Sequence, residues 1–580
     1  MKKFPLNSRK LRYGGVSAAL TALIIAVVII VNLVFSALAS RYAWYPDMTP
    51  DKLYTISDAC MDLLRNGDET FDSESPIEMV DKIRAENKAK NEERGLSKGD
   101  EGYLDEELTI NIIFCDEKDN VRDNATQRYV HDSAQEIAVE FPDHVKLVYH
   151  DIAWNPSAVA KYKTSSNAYI YPSDVIVEFG TEFRICDISS FYRTNQGEET
   201  PWAYDGERKL AGAILAVTRA ESPVACITKN HGESENTALR STLEDAGYRV
   251  QDILLDSEEI PADCRLIVVY DPNSDFKVRD GVSEIDEIEK LDEFLDNTNS
   301  MMVFMSPDSP ELRNFEEYLT EWGISFDREQ TASGAAPYLI KDSSAALSTD
   351  GYTIIGEYAE YGLGGAFTKD MRSVDVPKNV VFPRAMSISY PTDKYAITRS
   401  EDDDAANDPY ASLTGNATQS TDSYVYGKYN SSTIERYVHD MFLTSENAEA
   451  YVNGKLHARA TGDPFKLMTI SCERRITQDA NYADYTEENS YVIACGSTEF
   501  ASESLLYSSS YGNGDLLLSA CRAIGREPVP VGISLKPFAD YTIDNITTAE
   551  STRYTIVLTT IPAITAIIAG AVVLIRRKNR

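Results

Sequence analysis

His231, Gly232 and Glu233 stand directly after the apolar run Val224–Thr228, which reads as a buried strand. Ligand sites in open α/β sheets form at the carboxyl ends of strands, so this loop is a candidate for polar ligand binding, with Gly232 allowing close backbone approach. Asp271 and Asp275 follow a second strand-like run, Leu266–Tyr270, and would share the same end of the sheet. The competing reading is structural, and it is the favoured one. In it, His231 and Glu233 cap a helix starting near Glu235, and the two aspartates are the polar residues of a loop. No GxSxG elbow, Walker A sequence or Rossmann GxGxxG accompanies these residues, so no nucleophile has a recognisable context and no catalytic residue is assigned. His231, Glu233 and Asp271 remain candidates for ligand binding.

Metal chemistry finds little support. The six histidines form no HExxH or close pair, and the eight cysteines form no CxxC. Several cysteines lie inside apolar runs, as Cys226 does, and read as small buried hydrophobes rather than as a disulfide framework. Asp402, Asp403 and Asp404 lack the glycine and distal glutamate of a calcium loop and read as a solvated acidic turn. No metal and no cofactor is expected.

The elements that must hold these residues come in a clear order. After a charged insertion or linker over 66–107, with a helical patch around Pro76–Arg94, a unit at 108–220 has the order βαβαββ: strands at Leu108–Phe114, Val145–Tyr149, Val175–Phe179 and Glu182–Cys186, with helices at Thr126–Phe141 and Pro156–Tyr162. That order is similar to the thioredoxin fold. A second unit at 221–330 alternates strands (Val224–Thr228, Arg249–Ile253, Leu266–Tyr270, Met301–Met305) with helices (Glu235–Ala246, Val282–Leu295, Glu311–Trp322), which predicts a mostly parallel sheet covered on both faces. Residues 331–465 read as irregular, with a mobile loop over 400–432. The α/β pattern resumes at 466–553.

Charge and hydropathy frame the whole. The net charge is −36. Lys2, Lys3, Arg9, Lys10 and Arg12 precede the first long apolar run, and Arg576, Arg577, Lys578 and Arg580 follow the last. The chain between them is therefore still more acidic, which argues against nucleic acid as a partner. Val16–Leu38 is uncharged and followed by Tyr42, Trp44 and Tyr45; a second uncharged run fills 555–575. Both are long enough to span a bilayer. The flanking cations place the basic tails 1–15 and 576–580 in the cytoplasm and residues 40–553 outside it, with juxtamembrane helices over 40–65. Two other readings stay open: cleavage as a signal peptide at Ala37-Leu38-Ala39, and burial of both runs as core helices.

Taken in order along the chain, several segments resemble the GldG-type proteins, auxiliary or putative substrate-binding subunits of gliding-motility-associated bacterial ABC transporters. These are Asp47–Ser57; Gly206-Glu207-Arg208-Lys209-Leu210 with Ala213-Ile214, where Arg208 replaces the family's usual Gln; and Ile227–Glu233, similar to a GHGE sequence with Asn230 for its first Gly. Cys495–Phe500 is similar to a GDSDF turn, and Asn513-Gly514-Asp515 to an NGD helix start. The resemblance implies an α/β ectodomain, a thioredoxin-like unit followed by a flavodoxin- or glutamine-amidotransferase-like one, between two transmembrane helices in the plasma membrane. It also implies partnership with an ABC-2-type permease and a cytoplasmic ATPase, contact with membrane lipid through the two helices, and no enzymatic activity of the chain's own. An extracytoplasmic enzyme or glycan-binding module on the amidotransferase-like unit, and an envelope scaffold without a transporter, are the alternatives.

Overall fold

The computed structural model describes residues 52–538 apart from short segments (68–72, 164–168, 195–199, 220–222, 280–284, 400–422 and 479–484 chief among them), together with single residues of the two terminal apolar runs. Asp402–Asp404 and most of the loop expected over 400–432 lie outside the described residues. Its last part, Ser423–Gly427, is a strand.

The chain enters the fold through the helix Asp58–Asn66, whose first turn is capped by Ser57. The helix Pro76–Arg94 follows, with a Ser75/Glu78 capping box and a left-handed Gly95 at its end. Asn87 donates to the Asp105 carbonyl at 2.8 Å, and Asn91 both donates to and accepts from the Leu104 backbone. The segment expected as a solvated linker is thus tied back on itself. Its few apolar residues hid this, because the tie is made by buried amides rather than by apolar burial.

Strands β1 (Ile110–Phe114), β2 (Val145–Tyr149), β3 (Val175–Phe179) and β4 (Glu182–Cys186) form a sheet in the order β2-β1-β3-β4, with β1 and β2 parallel and the other pairs antiparallel. Side-chain alternation sends Ile110, Ile112 and Phe114 against the helices Gln127–Glu140 and Gly206–Thr218, and Ile113 against Ile152, Val159 and Ile170 on the other face. Strands β5 (Tyr192–Thr194) and β6 (Pro201–Tyr204) lead into the helix Gly206–Thr218, every residue of which is buried.

Strands β7 (Val224–Thr228), β8 (Arg249–Ile253), β9 (Cys264–Tyr270) and β10 (Ser300–Phe304) are parallel in the order β8-β7-β9-β10. The strand Tyr485–Cys495 completes the parallel part beside β10. Beyond it the sheet turns antiparallel through Lys466–Gln478, Ile434–Leu443, Thr353–Tyr358 and Val380–Pro383. One face packs Ala225, Leu266 and Met302, the other Val224, Ile267 and Met301, so the parallel strands are covered on both sides as expected.

Three expectations are corrected. The described residues of 331–465 are not irregular: Thr353–Tyr358, Val380–Pro383 and Ile434–Leu443 supply most strands of the antiparallel wing. Ile434–Leu443 carries Glu435, Arg436, His439 and Asp440, whose polarity masks the period of two, and Glu435 and Arg436 pair across to Arg474 and Glu473. The units at 221–330 and 466–553 share one sheet, a crossover that no local pattern reveals. The helix expected over Val282–Leu295 spans Glu287–Asp296, capped by Asp286, and Ile285 lies before it, partly exposed instead of facing the core.

Most of 16–38 and 555–575 lies outside the described residues, and among the described residues no helix is long and apolar enough to cross a membrane. Those described there, Leu23, Val27 and Ile29–Val34 in the first run and Ile561, Ile564, Ile568 and Val572 in the second among them, are helical and hold their aliphatic side chains exposed.

Candidate functional site

The His231 loop sits where expected, at the carboxyl end of β7, and the neighbouring loop after β9 closes over it. The ring is 3 % exposed. Its Nδ1 lies 3.1 Å from Glu233 Oε1 and its Nε2 3.2 Å from Glu287 Oε2, while one face stacks on Phe276 at 3.9 Å between centroids. Both carboxylates are buried as deeply as the ring. Burial disfavours the imidazolium, but the hydrogen bonds to Glu233 and Glu287 outweigh it and raise His231 to about 9. Burial likewise opposes the Glu233 charge, and the His231 hydrogen bond holds it below the ordinary glutamate value all the same.

The backbone is tied as tightly. The Glu233 carboxylate accepts from the His231 N–H at 2.7 Å, and the His231 carbonyl accepts from Asn273 and Ser274. Asn230 and Gly232 both have positive φ, 83° and 76°. Asn is the residue other than Gly that most readily takes this conformation, so Asn230 keeps the turn where the resembled family has Gly. Asp271, also at positive φ, accepts from Ser234 Oγ at 2.7 Å and pins the two loops together. Asp275 is apart from them: it accepts from the N–H groups of Asn314 and Phe315 at the start of the helix Arg313–Glu321. Neither His231 nor Glu233 caps the helix Thr237–Asp245; Asn236 does. The three candidate residues therefore come together in a closed knot with no ring nitrogen turned to solvent, in which Glu287 Oε1 is buried without a hydrogen-bond partner.

A denser cluster surrounds the helix Gly206–Thr218. Glu207 accepts from Ser57 N–H at 3.0 Å and Ser57 Oγ at 2.6 Å, and pairs with Lys536. Lys536 also donates to the carbonyls of Lys52 at 2.7 Å and Thr55 at 2.5 Å. Arg208 donates to the Ile533 carbonyl at 2.7 Å. Lys209 pairs with Asp245 at 2.5 Å and donates to Ser241. Burial disfavours the Lys209 ammonium, but Asp245 holds its pKa above the ordinary lysine value. Arg193 pairs with Asp205 and lies over the Tyr507 ring at 3.8 Å. The charged first turn of one helix, pointing its side chains in different directions, thus binds the segment entering the fold, the segment leaving it, and the helix of the larger sheet. Sequence reasoning noted Gly206–Leu210 only as a resemblance; a run of charges at the start of a helix looks solvated until its partners, such as the Ile533 carbonyl 325 residues from Arg208, are known.

The other resembling segments also turn out to be joints. Asn513 is fully buried and exchanges hydrogen bonds with the Val381 backbone in both directions while donating to the Phe500 carbonyl. A Cβ at Gly496 would stand 2.0 Å from the Met386 carbonyl oxygen, so the strand end there admits only glycine.

An open cleft was missed altogether. It lies at the carboxyl ends of β1 and β2, has a volume of about 420 Å³, and is lined by Glu117, Tyr149, His150, Asp151, Trp154 and Asn155. Its signal in the sequence was Trp154, a large aromatic within the polar stretch His150–Asn155. No protein-family model matches the chain, and no curated protein is significantly similar to it.

Proposed function

We propose that this chain is a non-enzymatic, membrane-anchored auxiliary subunit of an ABC transport system, with residues 40–553 outside the cytoplasm and both termini inside it. The observation that carries this reading is the Glu207 clasp. Through Ser57 and Lys536, one carboxylate joins the chain just after the first apolar run to the chain just before the second. A domain held this way brings the segments that lead to and from the two apolar runs to one point, which supports a subunit whose two ends act together at one place. The exposed aliphatic side chains of the terminal helical residues support lipid or permease helices as their partners. The strand order β2-β1-β3-β4, with β3 antiparallel to β1, supports a thioredoxin-like first unit, and the parallel strands β8-β7-β9-β10 support a flavodoxin- or amidotransferase-like second one. The sealed His231 knot speaks for a structural rather than a chemical role of that loop.

Purification of the full chain from native membranes in mild detergent tests the proposal. Co-recovery of an ABC-2-type permease and an ATPase is expected. Repeated recovery of the chain alone, with the detergent shown to preserve other ABC complexes from the same membranes, overturns it.

A further inference from the structure

The cleft at the carboxyl ends of β1 and β2 has the marks of a binding site. Trp154 is 87 % exposed, where tryptophan is ordinarily among the more buried residues. Leaving an indole in water forgoes the favourable burial of a large apolar surface. Nor is Trp154 loose: the Asp151 carboxylate accepts from the N–H groups of Ala153 and Trp154 at 3.0 and 3.2 Å, and the Asp151 carbonyl from Asn155 N–H, so a fixed turn presents the ring outward. Two more exposed aromatics stand at the same end of the sheet. Tyr169 and Tyr171, 69 % and 52 % exposed with ring centroids 4.6 Å apart, precede β3, whose Val175 is in register with Phe114, the last residue of β1. Ile170 between them packs in one cluster with Ile152 and Val159, which flank the Trp154 turn.

The polar groups of the cleft narrow the ligand. Among the described residues neither the Glu117 carboxylate nor the His150 ring has a side-chain hydrogen-bond partner. Glu117 and Asp151 repel anions, as does the net charge of the whole chain. A cationic ligand would meet Lys118, whose ammonium lies 5.6 Å above the Tyr149 ring in the cleft wall. What suits exposed aromatic faces beside carboxylate, imidazole and amide groups is an uncharged molecule with a flat C–H face and many hydroxyls. We infer that this cleft binds a neutral saccharide, which stacks on Trp154 and places hydroxyls on Glu117, His150 and Asn155. The inference stands independently of the transporter reading, and it concerns a different unit from the amidotransferase-like one.

The test is titration of the full chain, in a detergent without a sugar headgroup, with neutral hexasaccharides of glucose, mannose, galactose and N-acetylglucosamine. Binding is followed by tryptophan fluorescence and calorimetry. At least one hexasaccharide is expected to bind saturably below about 5 mM, as suits a shallow site. Trp154→Ala should weaken it at least about tenfold and Trp154→Phe restore part of the loss, while the melting temperature stays unchanged because the ring supports nothing beneath it. Glu117→Gln should weaken binding with a smaller effect. Absence of binding by all four sugars, affinity undiminished in Trp154→Ala, or saturable binding of polylysine or polyphosphate in place of any sugar would each overturn the inference.

Discussion

Because both ring nitrogens of His231 face buried carboxylates and its face lies on Phe276, the proton stays on the ring well past neutral pH. This links the knot to stability. A histidine whose folded pKa is raised contributes fully below its unfolded value, about 6.5, and loses that contribution as pH climbs through about 9. Glu233, held below its ordinary value, contributes above about 4.5 and loses its share as pH falls further. The knot is therefore strongest between those limits. Urea unfolding of the full chain at pH 6 and pH 9 should show a loss on the order of 2 kcal/mol at the higher pH, discounted for water at the loop surface. His231→Gln should be less stable at pH 6 and nearly flat across the range. A slope that persists in His231→Gln would assign it to other groups. The residue types at 231 and 233 were legible in the sequence, and so was their place at a strand end. Their closure was not, because Phe276, from a loop, and Glu287, from the first turn of the helix Glu287–Asp296, seal the ring from 45 and 56 positions downstream.

At the scale of elements, the helix Gly206–Thr218 is where the two sheets and both chain ends meet. Its Glu207–Lys536 pair is 3 % and 10 % exposed, so removing one partner strands the other charge in a poor solvent. Glu207→Ala is expected to cost about 3–5 kcal/mol, whereas Glu207→Leu with Lys536→Met should recover much of that, since apolar replacement of a buried pair is often tolerated. Chemical denaturation of Glu207→Leu, Lys536→Met and the double variant closes the cycle; additive losses would mean the pair is not coupled. Strands with apolar runs, such as Val175–Phe179 and Val224–Thr228, were read to the residue from sequence, because burial on both faces leaves a continuous signature. In Lys466–Gln478 and Tyr485–Cys495 only the apolar parts, Lys466–Ile470 and Tyr491–Cys495, carry a strand signature in the sequence. Their far ends pair Glu473–Gln478 with Tyr485–Ser490 in a ribbon whose polar side chains carry no hydropathic period.

For the whole molecule, the proposed reading makes one joint demand of the clasp and the charge pattern: an acidic body outside the cytoplasm, whose entering and leaving segments meet at Glu207. The native thiols allow a clean test of sidedness. Of the eight cysteines, all free, seven are buried and only Cys186 is partly accessible. Burial raises the thiols of Cys115, Cys495 and Cys521 to about 12 and that of Cys186 to about 11, so these four carry almost no thiolate at neutral pH. Cys226, whose thiol is lowered by its hydrogen bond with Cys264, is fully buried and out of a reagent's reach. Thr433 is exposed at the start of the strand Ile434–Leu443, far in sequence from either apolar run. A cysteine placed there by Thr433→Cys should react with a membrane-impermeant maleimide on intact cells, at a rate unchanged by permeabilisation, while the wild-type chain stays nearly unlabelled. Labelling that appears only after permeabilisation would put the acidic body in the cytoplasm. The clasp would then still join the two chain ends, but the positive-inside argument and the transport role built on it would both fall.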